Sequence, residues 1–249
     1  MSLMKRITGV LLIAALAAAF WPRLALAEDS DYGRGPSFGG RAYATIGWSY
    51  FDLTSLNRRL KAHGYTTFDQ DFASGGFGGL FVINRWVVGG EGQSFSPMGA
   101  LASKGDYDTT FSGGAGLLKL GYMAVQYRGL NLYPMIGLGG GGLSFVIQDE
   151  RRRSFNDVLD QPANISSLSA GGMIIDASLG FDYQFSYSEE HPYGGMIVGI
   201  MAGYSYMPWS QWTMNNQYIG HGPFAGINGP YVRLLLGFGG GRPGRSYAK

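Results

Sequence analysis

The feature that most restricts this chain is a two-residue rhythm, broken by connections that are alternately short and long. In "GGMIIDASLGFDYQF" (171–185), Met173, Ile175, Ala177, Leu179, Phe181 and Tyr183 fall on one face of an extended chain; Asp176, Ser178, Gly180 and Asp182 fall on the other. Runs of this kind cover 41–52, 74–83, 86–95, 109–125, 130–147, 170–185, 192–207 and 229–239. Most reach the ~9–11 residues that a tilted strand needs to cross a bilayer. Between them lie 53–73, then only Asn84–Arg85, then 96–108, 126–129, 148–169, 186–191 and 208–228. Long and short connections alternate without exception, the layout of an up-and-down barrel with tight turns at one rim and long loops at the other. A soluble β-sandwich has no reason to alternate so strictly. The fold expected is all-β: an eight-stranded antiparallel up-and-down transmembrane β-barrel over 40–239, apolar face outward. Only a closed barrel satisfies every backbone hydrogen bond of a sheet in lipid.

The beginning of the chain agrees with an exported protein. Lys5 and Arg6 precede the uncharged run "ITGVLLIAALAAAFW", and "ALA" at 25–27 precedes the acidic "EDSD". That is the plan of a secretory signal peptide, so residues 1–27 are expected to be removed and 28–39 to form a short periplasmic segment. Cleavage takes Lys5, Arg6 and Arg23 with it and leaves 16 basic against 17 acidic residues, so the net positive charge advertises no nucleic-acid partner. With no cysteine there is no lipoprotein anchor, disulfide or thiolate metal site. Beyond the signal no run of ~18 apolar residues exists to make a membrane helix. The 42 glycines and 14% aromatic residues go with only 14% charged residues, against roughly 25% in an ordinary soluble domain. The glycines sit inside the alternating runs, which argues against a disordered Gly-rich chain. On inward positions they make room for the few large side chains of a narrow barrel.

The final run, "YVRLLLGF", places Val232, Leu234, Leu236 and Phe238 on one face and ends in an aromatic residue. With the eight-run architecture, this resembles the small eight-stranded outer-membrane barrels of the OmpA membrane-domain and OmpX-like group. The likeness covers nearly all of 40–239 and rests on architecture and the final strand, not on a diagnostic motif. It implies a place in a bacterial outer membrane, contact with outer-membrane lipid and lipopolysaccharide, and recognition of Val232, Leu234, Leu236 and Phe238 by the barrel assembly machinery. The tail at 240–249 departs from the group, whose members often stop at the aromatic residue.

If the apolar residues face lipid, the charged ones between them face a narrow lumen. Parity puts Glu91 inward with Gln93, Lys119 opposite Leu118 and Leu120, Asp176 with Asp182, and Arg233 opposite Val232 and Leu234. Glu91, Lys119, Asp176 and Arg233 are two acids and two bases at comparable depth, and unpaired charge there is costly, so they are expected to pair across the lumen as a plug. Charges facing trapped water are the plainer alternative.

Outside the strands, Leu53, Leu56 and Leu60 have helical spacing, Thr54 or Ser55 can cap the start and Gly64 the end. A short helix is therefore expected in the first external loop. Arg58, Arg59 and Lys61 on its other sides suit contact with lipopolysaccharide, unless the helix simply folds over the barrel mouth. Arg151, Arg152 and Arg153 form a second basic cluster. Trp209 and Trp212 suit the aromatic belt at a membrane interface, with glycan or surface contact through the last loop as the alternative. His63, His191 and His221 lie in connections, and none has a serine two residues away, so no catalytic constellation is expected, nor a metal site or cofactor. "GLGGGG" (137–142) sits between apolar strand residues and opens no helix, so it is no phosphate loop. The expected function is non-enzymatic, structural or interactive through the long loops. A narrow channel for small or hydrophobic molecules and a lipid A-modifying enzyme are the alternatives, and no external ligand is legible.

Overall fold

The computed structural model describes residues 36–99, 103–104, 107–127, 129–149, 166–186, 194–214, 217–220 and 222–243. Eight long strands carry the fold: β1 (Pro36–Tyr50), β2 (Asp71–Ile83), β3 (Trp86–Pro97), β4 (Tyr107–Tyr122), β5 (Leu130–Asp149), β6 (Ser166–Ser186), β7 (Gly195–Tyr206) and β8 (Gly229–Pro243). Each pairs antiparallel with its neighbours in sequence, and β8 pairs with β1, so the sheet closes. The expected class, an eight-stranded antiparallel barrel, is what the chain forms. Several strands run a few residues past their sequence-read limits. β4, β5 and β6 extend at the long-loop end, where 211–214 pairs with β6 and 217–219 pairs with 211–214. The β1–β8 ladder continues past Phe238 to Pro243.

The register sets the barrel's width. A line of paired residues runs Gly39, Val82, Val87, Gly121, Met135, Ser178, Gly203, Tyr231 and closes on Ser49, ten residues farther along β1 than it began. With a rise of about 3.3 Å and a spacing of about 4.8 Å, that stagger over eight strands tilts them by roughly 40° and makes the barrel about 16 Å across between backbones. Such an interior has room for side chains and little more.

The outer wall is apolar. Ile46, Phe77, Leu118, Ile136, Leu138, Ile200 and Leu234 are all exposed, and so is the outward face of β6 at Ile175, Leu179, Phe181 and Tyr183. Aromatic residues gather toward the short-turn rim: Trp86 packs edge-on against Tyr122, and Tyr183 against Phe185. At the long-loop rim the Trp48 indole donates to Asp71, 2.8 Å. From Phe38 to Trp48 on β1, ten residues at that tilt span about 25 Å, the height of a bilayer's apolar core.

The first long loop folds inward. Its helix, α1 (Thr54–Ala62), starts where the Asp52 carboxylate accepts from the Thr54 amide at 3.1 Å. The N-cap position falls on Leu53, which has no capping side chain, so Thr54 and Ser55 lie inside the first turn and neither caps the helix. At the other end Gly64 takes φ +81°, its amide donates to the Lys61 carbonyl and the Tyr65 amide to that of Leu60, a Schellman closure that favours glycine there. Leu53, Leu56 and Leu60 are buried against Phe68, Phe111, Phe145 and Trp212. The helix therefore lies in the barrel mouth, with Arg58, Arg59 and Lys61 exposed on its far side. Asn57 holds the returning segment: its amide nitrogen donates to the Phe68 carbonyl (2.8 Å) and its oxygen accepts from the Phe68 amide (2.9 Å). Asn57→Ala removes both bonds and is expected to cost about 1–3 kcal/mol, read as a lower urea midpoint of the refolded barrel.

Candidate functional site

Among the described residues the main cluster of buried charged groups faces the lumen. Inward positions alternate with the outer wall, and at mid-height they bring Glu91 (β3), Lys119 (β4), Asp176 (β6) and Arg233 (β8) together. Lys119 Nζ lies 3.1 Å from Glu91 Oε2 and 3.5 Å from Asp176 Oδ1, and the Arg233 guanidinium donates to Glu91 Oε1. The four side chains are almost wholly buried. Neutral groups satisfy more of the carboxylate lone pairs. Tyr43 (3.2 Å) and Gln93 (3.0 Å) donate to Glu91, while Ser205 (3.0 Å) and Tyr231 (3.1 Å) donate to Asp176. Lys119 also reaches Met201 Sδ, and Arg233 stacks on the Tyr231 ring with Cζ 3.9 Å from its centroid. Two acids and two bases leave the layer formally neutral, which is the condition for holding charge away from water.

Glycines on intervening strands let these groups meet. Tyr43 and Glu91 both pair with Gly78 on the strand between them; Thr45 and Gln93 share Gly76, and Lys119 and Asp176 share Gly137. In each case the contact passes over a position without a side chain. A Cβ at Gly137 would sit 3.1 Å from the Asp176 Cβ and 3.4 Å from the Lys119 Cγ. A Cβ at Gly78 would come within 2.7 Å of the Tyr43 ring. The inward glycines are saddles over which second-neighbour strands interact.

A second ion pair lies nearer the short turns. Arg41 reaches both Asp182 oxygens at 2.8 and 3.1 Å, and Asn131 donates to Asp182 Oδ1 at 2.7 Å. Arg41 opens its run, where parity is least visible in the sequence, yet it shares parity with Tyr43 and Thr45. Asn131, Tyr43 and Tyr231 carry the same parity signal, which their neutral chemistry makes less conspicuous.

Apolar layers lie on both sides of the mid-height ions. Toward the short turns Leu80, Val82, Val87, Tyr133, Met135, Ile197 and Leu235 pack together. Toward the mouth Phe51, Phe72 and Phe95 stack, with ring centroids 4.7 Å (Phe51–Phe72) and 4.9 Å (Phe51–Phe95) apart, beneath α1 and the returning segment 222–228.

Other candidate residues are scattered. Val232, Leu234, Leu236 and Phe238 line the outer face of β8 and are exposed. Trp209 is exposed, but Trp212 belongs neither to an interface belt nor to an exposed contact surface. It is buried in the mouth, its indole donating to the Pro223 carbonyl at 2.6 Å, because the last loop turns back into the barrel. Arg151, Arg152, Arg153, His191 and His221 lie outside the described residues. His63 is exposed beyond α1, with Nδ1 3.0 Å from the Arg59 carbonyl oxygen. Among the described residues no group of three or more His, Cys, Asp or Glu could hold a metal ion.

No family profile and no curated protein matches the chain. Among solved structures it is similar to the outer membrane protein OprG from Pseudomonas aeruginosa, at 16% identity, covering 86% of this chain and 100% of that one, TM-score 0.42. It is also similar to Ail, the attachment invasion locus protein of Yersinia pestis, at 16% identity, covering 84% of this chain and 98% of that one, TM-score 0.37. At these scores the likeness carries no argument of its own; the fold rests on the closed ladder of strands.

Proposed function

We propose that this chain is an integral protein of a bacterial outer membrane, exported by a signal peptide at 1–27, whose sealed, non-enzymatic barrel acts as a rigid scaffold for its long loops. The supporting observation is the inversion of polarity. An apolar outer wall about 25 Å tall encloses a lumen in which paired charges lie between apolar layers. A water-soluble barrel would place these residues the other way round. On this reading lipid surrounds the belt, lipopolysaccharide meets the long-loop rim near Arg58, Arg59 and Lys61, and the assembly machinery engages the outward face of β8. The plug is the Glu91–Lys119–Asp176–Arg233 layer backed by the Phe51–Phe72–Phe95 stack.

Two measurements test it. Expressed in a Gram-negative host, the protein is expected to fractionate with outer membranes; recovery as a soluble periplasmic protein overturns the membrane reading. Refolded into planar bilayers, it is expected to give no steady conductance. A sustained open level in the unmodified protein overturns the seal and favours a narrow channel.

A further inference from the structure

Of five buried side-chain polar atoms without a hydrogen-bond partner among the described residues, Ser178 Oγ stands apart on β6, and four fall on the adjoining strands β8, β1, β2 and β3: Ser49 Oγ, Ser74 Oγ, Gln93 Oε1 and Arg233 Nε. Their residues are all more than nine-tenths buried. They are neighbours through the register. Gly47 pairs with Arg233 on one side and Ser74 on the other, Ser49 is the next inward residue of β1, and Gly76 pairs with Gln93. No side chain projects from Gly47 or Gly76, so these groups border one stretch of wall, between the ion layer and the Phe51–Phe72–Phe95 stack.

We propose that Ser49, Ser74, Gln93 and Arg233 form an internal binding site for one or two structural waters. The chemistry selects that occupant. Arg233 Nε only donates, Gln93 Oε1 only accepts, and each hydroxyl does both, which matches a molecule that donates twice and accepts twice. An anion would meet the Gln93 oxygen and add negative charge to a balanced layer. A cation would face the Arg233 guanidinium. A buried water typically makes about three hydrogen bonds, and this site offers enough groups for one such water or two that share them. The site rests on the register and burial alone and does not depend on whether the barrel is a scaffold or a channel.

The test is nuclear Overhauser transfer from water to the barrel in lipid nanodiscs, paired with urea midpoints of the Ser49→Ala/Ser74→Ala double variant. Expected are slow-water cross-peaks at the Gly47 and Gly76 amides, lost in the double variant, and a lower midpoint in that variant. Absence of those cross-peaks in the wild type, or a midpoint unchanged or raised by the double substitution, means that the hydroxyls are dry and overturns the site. A midpoint that rises with potassium chloride in the wild type and not in the double variant assigns an ion instead, and also overturns it.

Discussion

Glu91→Gln is expected to destabilise the refolded barrel by roughly 3–5 kcal/mol, the range for breaking a fully buried ion pair from one side. The side chain keeps its size, so the loss is electrostatic. Glu91 is the hub of the layer: it faces Lys119 and Arg233 and accepts from Tyr43 and Gln93. Without its charge, two cations share the single carboxylate of Asp176, 3.5 Å from Lys119. Arg233→Ala leaves Glu91 still paired with Lys119 and is expected to cost less. Arg233→Met in the Glu91→Gln background restores neutrality and should recover part of the loss. Urea unfolding of the three variants in the same detergent decides the matter; a midpoint unmoved by Glu91→Gln sinks the pairing.

Gly47→Val is expected to prevent the barrel from closing. A Cβ at Gly47 would run into the Val232 carbonyl oxygen and come within 2.6 Å of the Arg233 Cα, both on the strand that seals β8 to β1. Backbone on the seam cannot retreat as a side-chain tip can, so the cost should exceed the ~1–3 kcal/mol of ordinary overpacking. The measurement is the shift between heated and unheated protein on a denaturing gel, by which folded barrels are distinguished. A normal folded fraction for Gly47→Val would show that the seam is slacker than its register implies. Valine at Gly116, on the outer wall with nothing within 4 Å of a Cβ, is the matched control and is expected to fold.

Strand number, connection order and the outward or inward sense of the charged residues are legible in the sequence, because parity is a local property that one run of residues carries by itself. Register is not local. That Gly78 lies between Tyr43 and Glu91, or Gly137 between Lys119 and Asp176, depends on how three strands are aligned, and the sequence shows only that glycines are frequent. The helix of the first loop is readable from Leu53, Leu56 and Leu60. Its place in the mouth depends on Phe111 and Phe145, brought from β4 and β5. The burial of Trp212 is illegible for the same reason: nothing in its own segment announces that the last loop turns inward and brings the Pro223 carbonyl to its indole.

The two ion pairs that join distant parts of the chain have a kinetic meaning. Arg233 reaches back 142 residues to Glu91, and Arg41 reaches forward 141 to Asp182. Neither can form in a sheet built from the first strands alone, and contacts so far apart in sequence are slow to gain. A partial barrel entering lipid without β6 and β8 would keep Glu91 paired with Lys119 but would carry Arg41 without its carboxylate, at several kcal/mol for that stranded charge. On the proposed membrane reading, insertion is thereby tied to completion: β1 carries an unpaired charge until β6 supplies Asp182.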